Sequence, residues 1–240
     1  MTTIDARVVR LHDLYLSGAI PGPAKHEVHP GLSRGSRENY LYFTLSPALN
    51  FQRNSPALWQ SALDTYADVD TSFVFFPEDV VGRGPNATGS ALLKHRLAIQ
   101  TSRHPKIWYG LCETLNRAFS NDPREVLASA NHDVERIVRL VQADRREEFP
   151  GLRGPKLSNY WLFILSQFTD APLRNLAALS IIPDTHVIQA TTYLGLTAHD
   201  SSPIVVERVW RETLLRLGLS PVVMHSALWR WSRNHFTPAV

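Results

Sequence analysis

The residues whose types and spacing suit chemistry lie in two short stretches. Phe149-Pro-Gly-Leu-Arg-Gly-Pro-Lys156 is a glycine-rich turn that ends on a lysine and opens an apolar helix. Ile182-Pro-Asp184-Thr-His186 sets an aspartate at the start of another helix. A neutral amine is a nucleophile and forms a Schiff base with an aldehyde-like carbon such as C1′ of a sugar. Leu157, Tyr160 and Trp161 are expected to enclose the Lys156 amine, and an enclosed amine is more often neutral. A carboxylate beside it accepts a proton from the amine or from water. The same carboxylate offsets the positive charge that develops on a sugar as a glycosidic bond breaks. Both residues also have plainer roles: Lys156 as a point charge on a phosphate, and Asp184, after Pro183, as a helix N-cap.

The turn has chemistry of its own. Gly151 and Gly154 let the backbone bend tightly and come close to another surface. Successive N–H groups at the start of the following helix make an anion site, and Arg153 adds charge there. A nucleic-acid phosphate fits such a site without its sequence being read. Helix 132–147, turn 149–155 and helix 156–168 together read as a helix–hairpin–helix.

Other elements must position these groups. Apolar residues at helical spacing predict helices over 4–18, 36–45, a segment starting at Ser55-Pro56, 87–101, 105–119, 123–130 and 132–147. Beyond the turn they predict helices over 156–168, 172–180, 184–195, 203–218 and 221–234. Residues 20–35 read as a long ordered loop, 82–89 as a linker, and 72–77 as either a short strand or an apolar loop. Strand signal is nearly absent, so the fold class is all-α: two helical lobes around a cleft within one domain, 1–240. One lobe comprises 1–70 with the C-terminal helices, and the other is 87–196 carrying the hairpin 149–156. Asn50, Phe51 and Gln52 fall at a helix junction, either facing the cleft or forming an ordinary loop around a buried Phe51.

Composition narrows the classes. The chain has 240 residues, 44% hydrophobic and 20% charged, the profile of a folded protein with a substantial core. Its formal net charge of +3 permits nucleic-acid binding without requiring it. The single cysteine, Cys112, excludes a disulfide within the chain, a four-cysteine zinc site and a four-cysteine iron–sulfur cluster. His26 and His29 lack a third ligand at metal-binding spacing, so no metal and no cofactor are expected. Met1-Thr-Thr-Ile-Asp-Ala-Arg lacks the apolar run of a signal peptide, and no segment has the length of a membrane span. A cytoplasmic protein without membrane contact is expected.

The two stretches resemble the helix–hairpin–helix DNA glycosylases, the superfamily of endonuclease III and 8-oxoguanine glycosylase. The likeness rests on Phe149–Lys156 and on Ile182-Pro-Asp-Thr-His-Val-Ile188. The hairpin here carries one additional residue before the lysine, with Pro155 in that place. The longer lysine-to-aspartate interval is similar to the archaeal 8-oxoguanine DNA glycosylase branch. Met224-His-Ser-Ala-Leu-Trp-Arg-Trp231 resembles the last helix of that branch.

The resemblance implies an all-helical monomer that acts on double-stranded DNA containing a damaged base. The base is an oxidised purine of the 8-oxoguanine kind. Lys156 and Asp184 would be catalytic. Tyr160 and Trp229, with His225 one turn before the latter, would hold the extruded base, and Asn50, Phe51 and Gln52 would read it. Gly151, Arg153 and Gly154 would contact phosphate. Two other functions fit the same residues: an N-glycosylase acting on a modified nucleoside or nucleotide, and a non-catalytic helix–hairpin–helix module that binds DNA.

Overall fold

The computed structural model describes residues 2–21, 27–51 and 53–240, so Gln52 and His26 lie outside the described residues. The helices in chain order are α1 (Thr3–Leu16), α2 (Arg37–Leu45), α3 (Ser55–Ala67), α4 (Pro77–Lys94), α5 (Arg103–Ala118) and α6 (Pro123–Ser129). They continue as α7 (Val134–Arg139), α8 (Pro155–Phe168), α9 (Thr185–Leu194), α10 (Pro203–Leu217) and α11 (Pro221–Arg233). Among the described residues there is no strand, only an isolated bridge between Asp133 and Arg174. Among the same residues no helix is long and apolar enough to cross a membrane.

The chain divides into two compact units, Lys25–Arg174 and the combination of Met1–Ala24 with Asn175–Val240. This corrects the expected lobe boundaries, because residues 25–70 group with α8 rather than with the C-terminal helices. Three buried hydrogen bonds give the reason. Asn39 Nδ2 donates to the Phe168 carbonyl (3.0 Å), Trp161 Nε1 to Thr44 Oγ1 (3.0 Å) and Trp59 Nε1 to Tyr160 Oη (3.0 Å). Each ties α2 or α3 to α8, across more than a hundred residues of chain.

In the larger unit Tyr42, Phe43, Trp59, Phe75, Trp108 and Trp161 are fully buried. Their polar atoms are satisfied locally: Trp108 Nε1 donates to the Val74 carbonyl at 2.7 Å, and Tyr42 Oη to the Val28 carbonyl at 2.9 Å. A buried indole or phenol without such a partner would cost on the order of 1–3 kcal/mol. The ring of His29 lies against Phe43 and Phe168, with centroids 5.5 and 5.7 Å away.

The smaller unit packs α1, α9, α10 and α11 around Val8, Leu11, Val187, Leu194, Trp210, Leu228 and Trp231. A capping box of Thr2 and Asp5 starts α1, and Arg216 pairs with Asp5 at 2.7 Å. Arg7 donates to the Leu194 and Tyr193 carbonyls at 3.0 and 3.1 Å, satisfying the C-terminal end of α9.

Four local expectations are corrected. Residues 82–89 are not a linker but the middle of α4, bent where Gly84 takes φ 82, so that Pro85 starts the second half. Residues 72–75 form a 3-10 turn, neither strand nor loop. Between 172 and 180 only Leu176–Ala178 is helical, also 3-10. The chain just before it pairs with the loop at 132–134 instead, Arg174 N–H to the His132 carbonyl and Val134 N–H to the Arg174 carbonyl. Finally, α7 is regular only to Arg139. A π-helical turn at Leu140–Asp144 follows, closed by Arg145 N–H on the Leu140 carbonyl at 2.8 Å.

Candidate active site and nucleic-acid interface

Lys156 is the second residue of α8, after Pro155 at the first position and Gly154 at the cap. Its side chain is exposed while Leu157, Tyr160 and Trp161 are buried, so the apolar neighbours do not enclose the amine. Leu157 and Trp161 turn toward the core, and Lys156, in the first turn of α8, is left at the exposed end of the helix. Among the described residues, no side chain hydrogen-bonds or ion-pairs with the Lys156 amine.

The turn before α8 has Gly151 at φ 83. A methyl group there would meet the Ala48 carbonyl oxygen at 2.6 Å and Ile107 Cγ2 at 2.8 Å. The close approach that glycine allows is thus made with the protein's own backbone, not with a ligand. Gly154 has φ −88, and a methyl group added there would meet open space, so its conformation does not require glycine. Arg153 is ion-paired with Glu147, and Arg145 with Glu148, which Arg117 also reaches. Much of the arginine charge around the turn is thereby offset by carboxylates.

Tyr160 is one turn beyond Lys156 and 8% exposed. Its hydroxyl accepts from Trp59 Nε1 and lies 3.2 Å from Ser55 Oγ, and Asn50 Nδ2 donates to that same Ser55 Oγ at 3.4 Å. The larger unit therefore brings Tyr160 and Asn50 together through Ser55, while Lys156 takes no part in this network. Phe51 is 41% exposed, which corrects the reading of a loop folded around a buried Phe51. Ser55 and Trp59 were legible only as a helix start and part of its apolar face.

In the smaller unit Asp184 is half-buried at the cap of α9, and its Oδ1 accepts from the Val187 N–H at 2.9 Å. Among the described residues no donor reaches its second oxygen. His186, two residues on, stands edge-on to Trp229 with centroids 5.6 Å apart. Its Nδ1 is 3.2 Å from Ser232 Oγ, which donates to Gln189 Oε1 at 3.2 Å. With the hydroxyl proton on Gln189, His186 Nδ1 is the donor and Nε2 the acceptor. Burial holds His186 below its ordinary pKa; Asp184 opposes that shift and Arg233 adds to it. The Arg233 guanidinium lies 5.2 Å from the centre of the Trp229 ring. His225 is buried. The unit thus joins Asp184 and Trp229 through His186, a residue that the sequence reading passed over although it lies in the first turn after Asp184.

The first turn of α5 holds a further titratable group. His104 is 2% exposed, and its Nδ1 accepts from the Ile99 N–H at 3.3 Å. Burial, with Arg53 and Arg103 nearby, pulls it down to about 4. The unfolded chain takes up this proton near the ordinary value of about 6.5, while the folded chain takes it up only near 4. Stability therefore rises with pH across that window and is lost on acidification through it. His104→Gln is expected to reduce the loss between those two pH values by on the order of 2 kcal/mol. Urea unfolding at several pH values checks this, and parallel curves for the two proteins would exclude His104 as the source.

Among the described residues, no group of three or more His, Cys, Asp or Glu side chains is placed to hold a metal ion. Cys112 is buried, which pushes its thiol up well above the usual range. No family model matches the chain, and no curated protein matches it either.

Proposed function

We propose that this chain is a base-excision DNA glycosylase with lyase activity, acting on an oxidised purine of the 8-oxoguanine kind in duplex DNA. The observation that carries the reading is an exposed amine, free of partners among the described residues, at the second residue of a helix that follows a tight turn. Here α7, the turn at 149–154 and α8 serve as a helix–hairpin–helix that grips phosphate through the first N–H groups of α8. Lys156 Nζ attacks C1′, the C1′–N bond breaks, and its electron pair leaves with the base. A carboxylate takes the proton that the amine gives up and offsets charge on the sugar, the role that the resemblance gives to Asp184. Ring opening gives the Schiff base, and loss of a C2′ proton then expels the 3′ phosphate and nicks the strand. An aromatic side chain contacts the extruded base, where stacking contributes ~1–3 kcal/mol per base, and Tyr160 and Trp229 are each a candidate for that role. The protein works as a monomer in the cytoplasm.

Borohydride tests the proposal directly. Reduction in the presence of 8-oxoguanine or abasic duplex is expected to leave a covalent adduct on the peptide that contains Lys156. Absence of any adduct, or an adduct on another lysine, would sink it. The pairing of Arg153 and Arg145 with glutamates favours a second reading, an N-glycosylase acting on a modified nucleoside or nucleotide. Affinity for DNA falls steeply with salt because counterions are released, and a free nucleoside shows no such slope.

A further inference from the structure

From His95 to Cys112 the chain has no aspartate or glutamate and five basic side chains: His95, Arg96, Arg103, His104 and Lys106. Arg96, Arg103 and Lys106 are exposed, and among the described residues none of the three has a carboxylate partner. Arg53 joins this group from the turn before α3. It donates to the Arg96 and Leu97 carbonyls, which fastens the residues just before α3 onto the loop at 96–97. Arg96 sits at φ 58, a backbone conformation that its side chain does not favour. Burial, with a smaller contribution from the neighbouring Arg96, lowers the Arg53 pKa to about 10. Phe51, two residues before Arg53, is exposed, with the Arg103 guanidinium 5.3 Å from its ring centre. Ile99 is exposed beside them in sequence.

This contrasts with the turn at 149–154, whose arginines are neutralised. The two features adjoin: Gly151 packs on Ala48, three residues before Phe51, and on Ile107, one turn after Arg103. Tyr160, one turn from Lys156, is linked to Ser55 on the other side of the same turn. Uncompensated cations around an exposed aromatic face suit a strand that presents both phosphates and unstacked bases.

We propose that Phe51, Arg96, Arg103 and Lys106 form a contact surface for an unpaired nucleic-acid strand. A base stacks on Phe51 and neighbouring phosphates lie on the three cations. The occupant rests on the nucleic-acid reading above, but the surface is independent of the chemistry at Lys156.

The test is binding by fluorescence anisotropy, using the full chain, a labelled oligothymidylate and a duplex of the same length. Salt is varied from about 50 to about 200 mM. Arg96→Asn keeps a residue that tolerates the positive φ, and it is combined with Arg103→Ala. The double variant is expected to weaken single-strand binding and to reduce the salt slope by about 1.4, for two contacts at ~0.7 each. Phe51→Ala is expected to weaken it about 5- to 150-fold with the slope unchanged, and Phe51→Trp to restore it. Unchanged affinity and slope in all variants, with unfolding midpoints intact, overturn the proposal. So does competition by polyglutamate as effective as by oligothymidylate, which identifies an acidic-peptide site. Should the variants behave as expected while borohydride traps nothing on Lys156, the surface stands and the glycosylase reading alone fails. Normal trapping with unaltered binding means the reverse: the glycosylase reading stands and the surface alone fails.

Discussion

Asp184→Asn is expected to lower the rate of base release about 10²- to 10⁴-fold while stability changes by less than about 1 kcal/mol. The two effects separate because only one of the two oxygens is used in the cap, which leaves the other for the proposed reaction. Oδ1 accepts from the Val187 N–H and caps α9, and an asparagine oxygen does the same. In the proposed reaction the amide lacks the negative charge and the proton-accepting oxygen that cleavage of a glycosidic bond would draw on. Asp184→Ala removes both and should cost about 1 kcal/mol of stability in addition. Single-turnover base release and thermal unfolding of the same two variants decide the matter. If Asp184→Asn releases base at the unaltered rate, Asp184 is a cap and nothing more.

Gly151→Ala is expected to destabilise the protein by about 2–5 kcal/mol, from the left-handed backbone and from overpacking together. Both causes are visible: φ is 83, and the added methyl would lie 2.6 Å from the Ala48 carbonyl oxygen and 2.8 Å from Ile107 Cγ2. Neither neighbour is the end of a flexible chain, since one is backbone and the other a branched side chain on α5. Gly154→Ala is the control. Its φ of −88 is ordinary and nothing lies within 4 Å of the new methyl, so a change within about 1 kcal/mol is expected. Urea unfolding of the pair measures the difference. Equal stability of the two variants would mean that the turn shifts to make room, and that Gly151 does not hold it against α5.

The candidate residues were legible to different degrees, for physical reasons. Ser36 and Asp184 were readable as caps, because a cap is a contact three residues along the chain. The prolines at 203 and 221 were readable as helix starts, and α10 and α11 begin there. The linker assigned to 82–89 failed because Gly and Pro punctuate a chain without saying whether it stops. Here Pro85 opens a second helical segment and α4 resumes with its core-facing Thr88, Ala91 and Leu92. Lys156 was placed correctly at a helix start, yet its surroundings were not, since neighbours in sequence turn to other sides of a helix. Arg153 read as free charge, although Glu147 stood a few residues away in the same stretch.

What the sequence by itself determined is therefore local. It specified an all-helical chain through the 3.6-residue apolar repeat, the position of a lysine after a glycine turn, and an aspartate at a helix cap. Only the tertiary structure decided what each group faces. It set Gly151 against Ala48 and Ile107 and tied Tyr160 to Trp59 and Ser55. It also fastened Arg53 to the loop that carries Arg96 and left Arg103 over the exposed Phe51. Those contacts join residues 43 to 105 apart in sequence, or depend on which side of a helix a residue takes. Periodicity and capping act within a few residues and are the same wherever a helix packs. The pairing of distant segments depends on how whole apolar faces fill one core, and no short stretch carries that information.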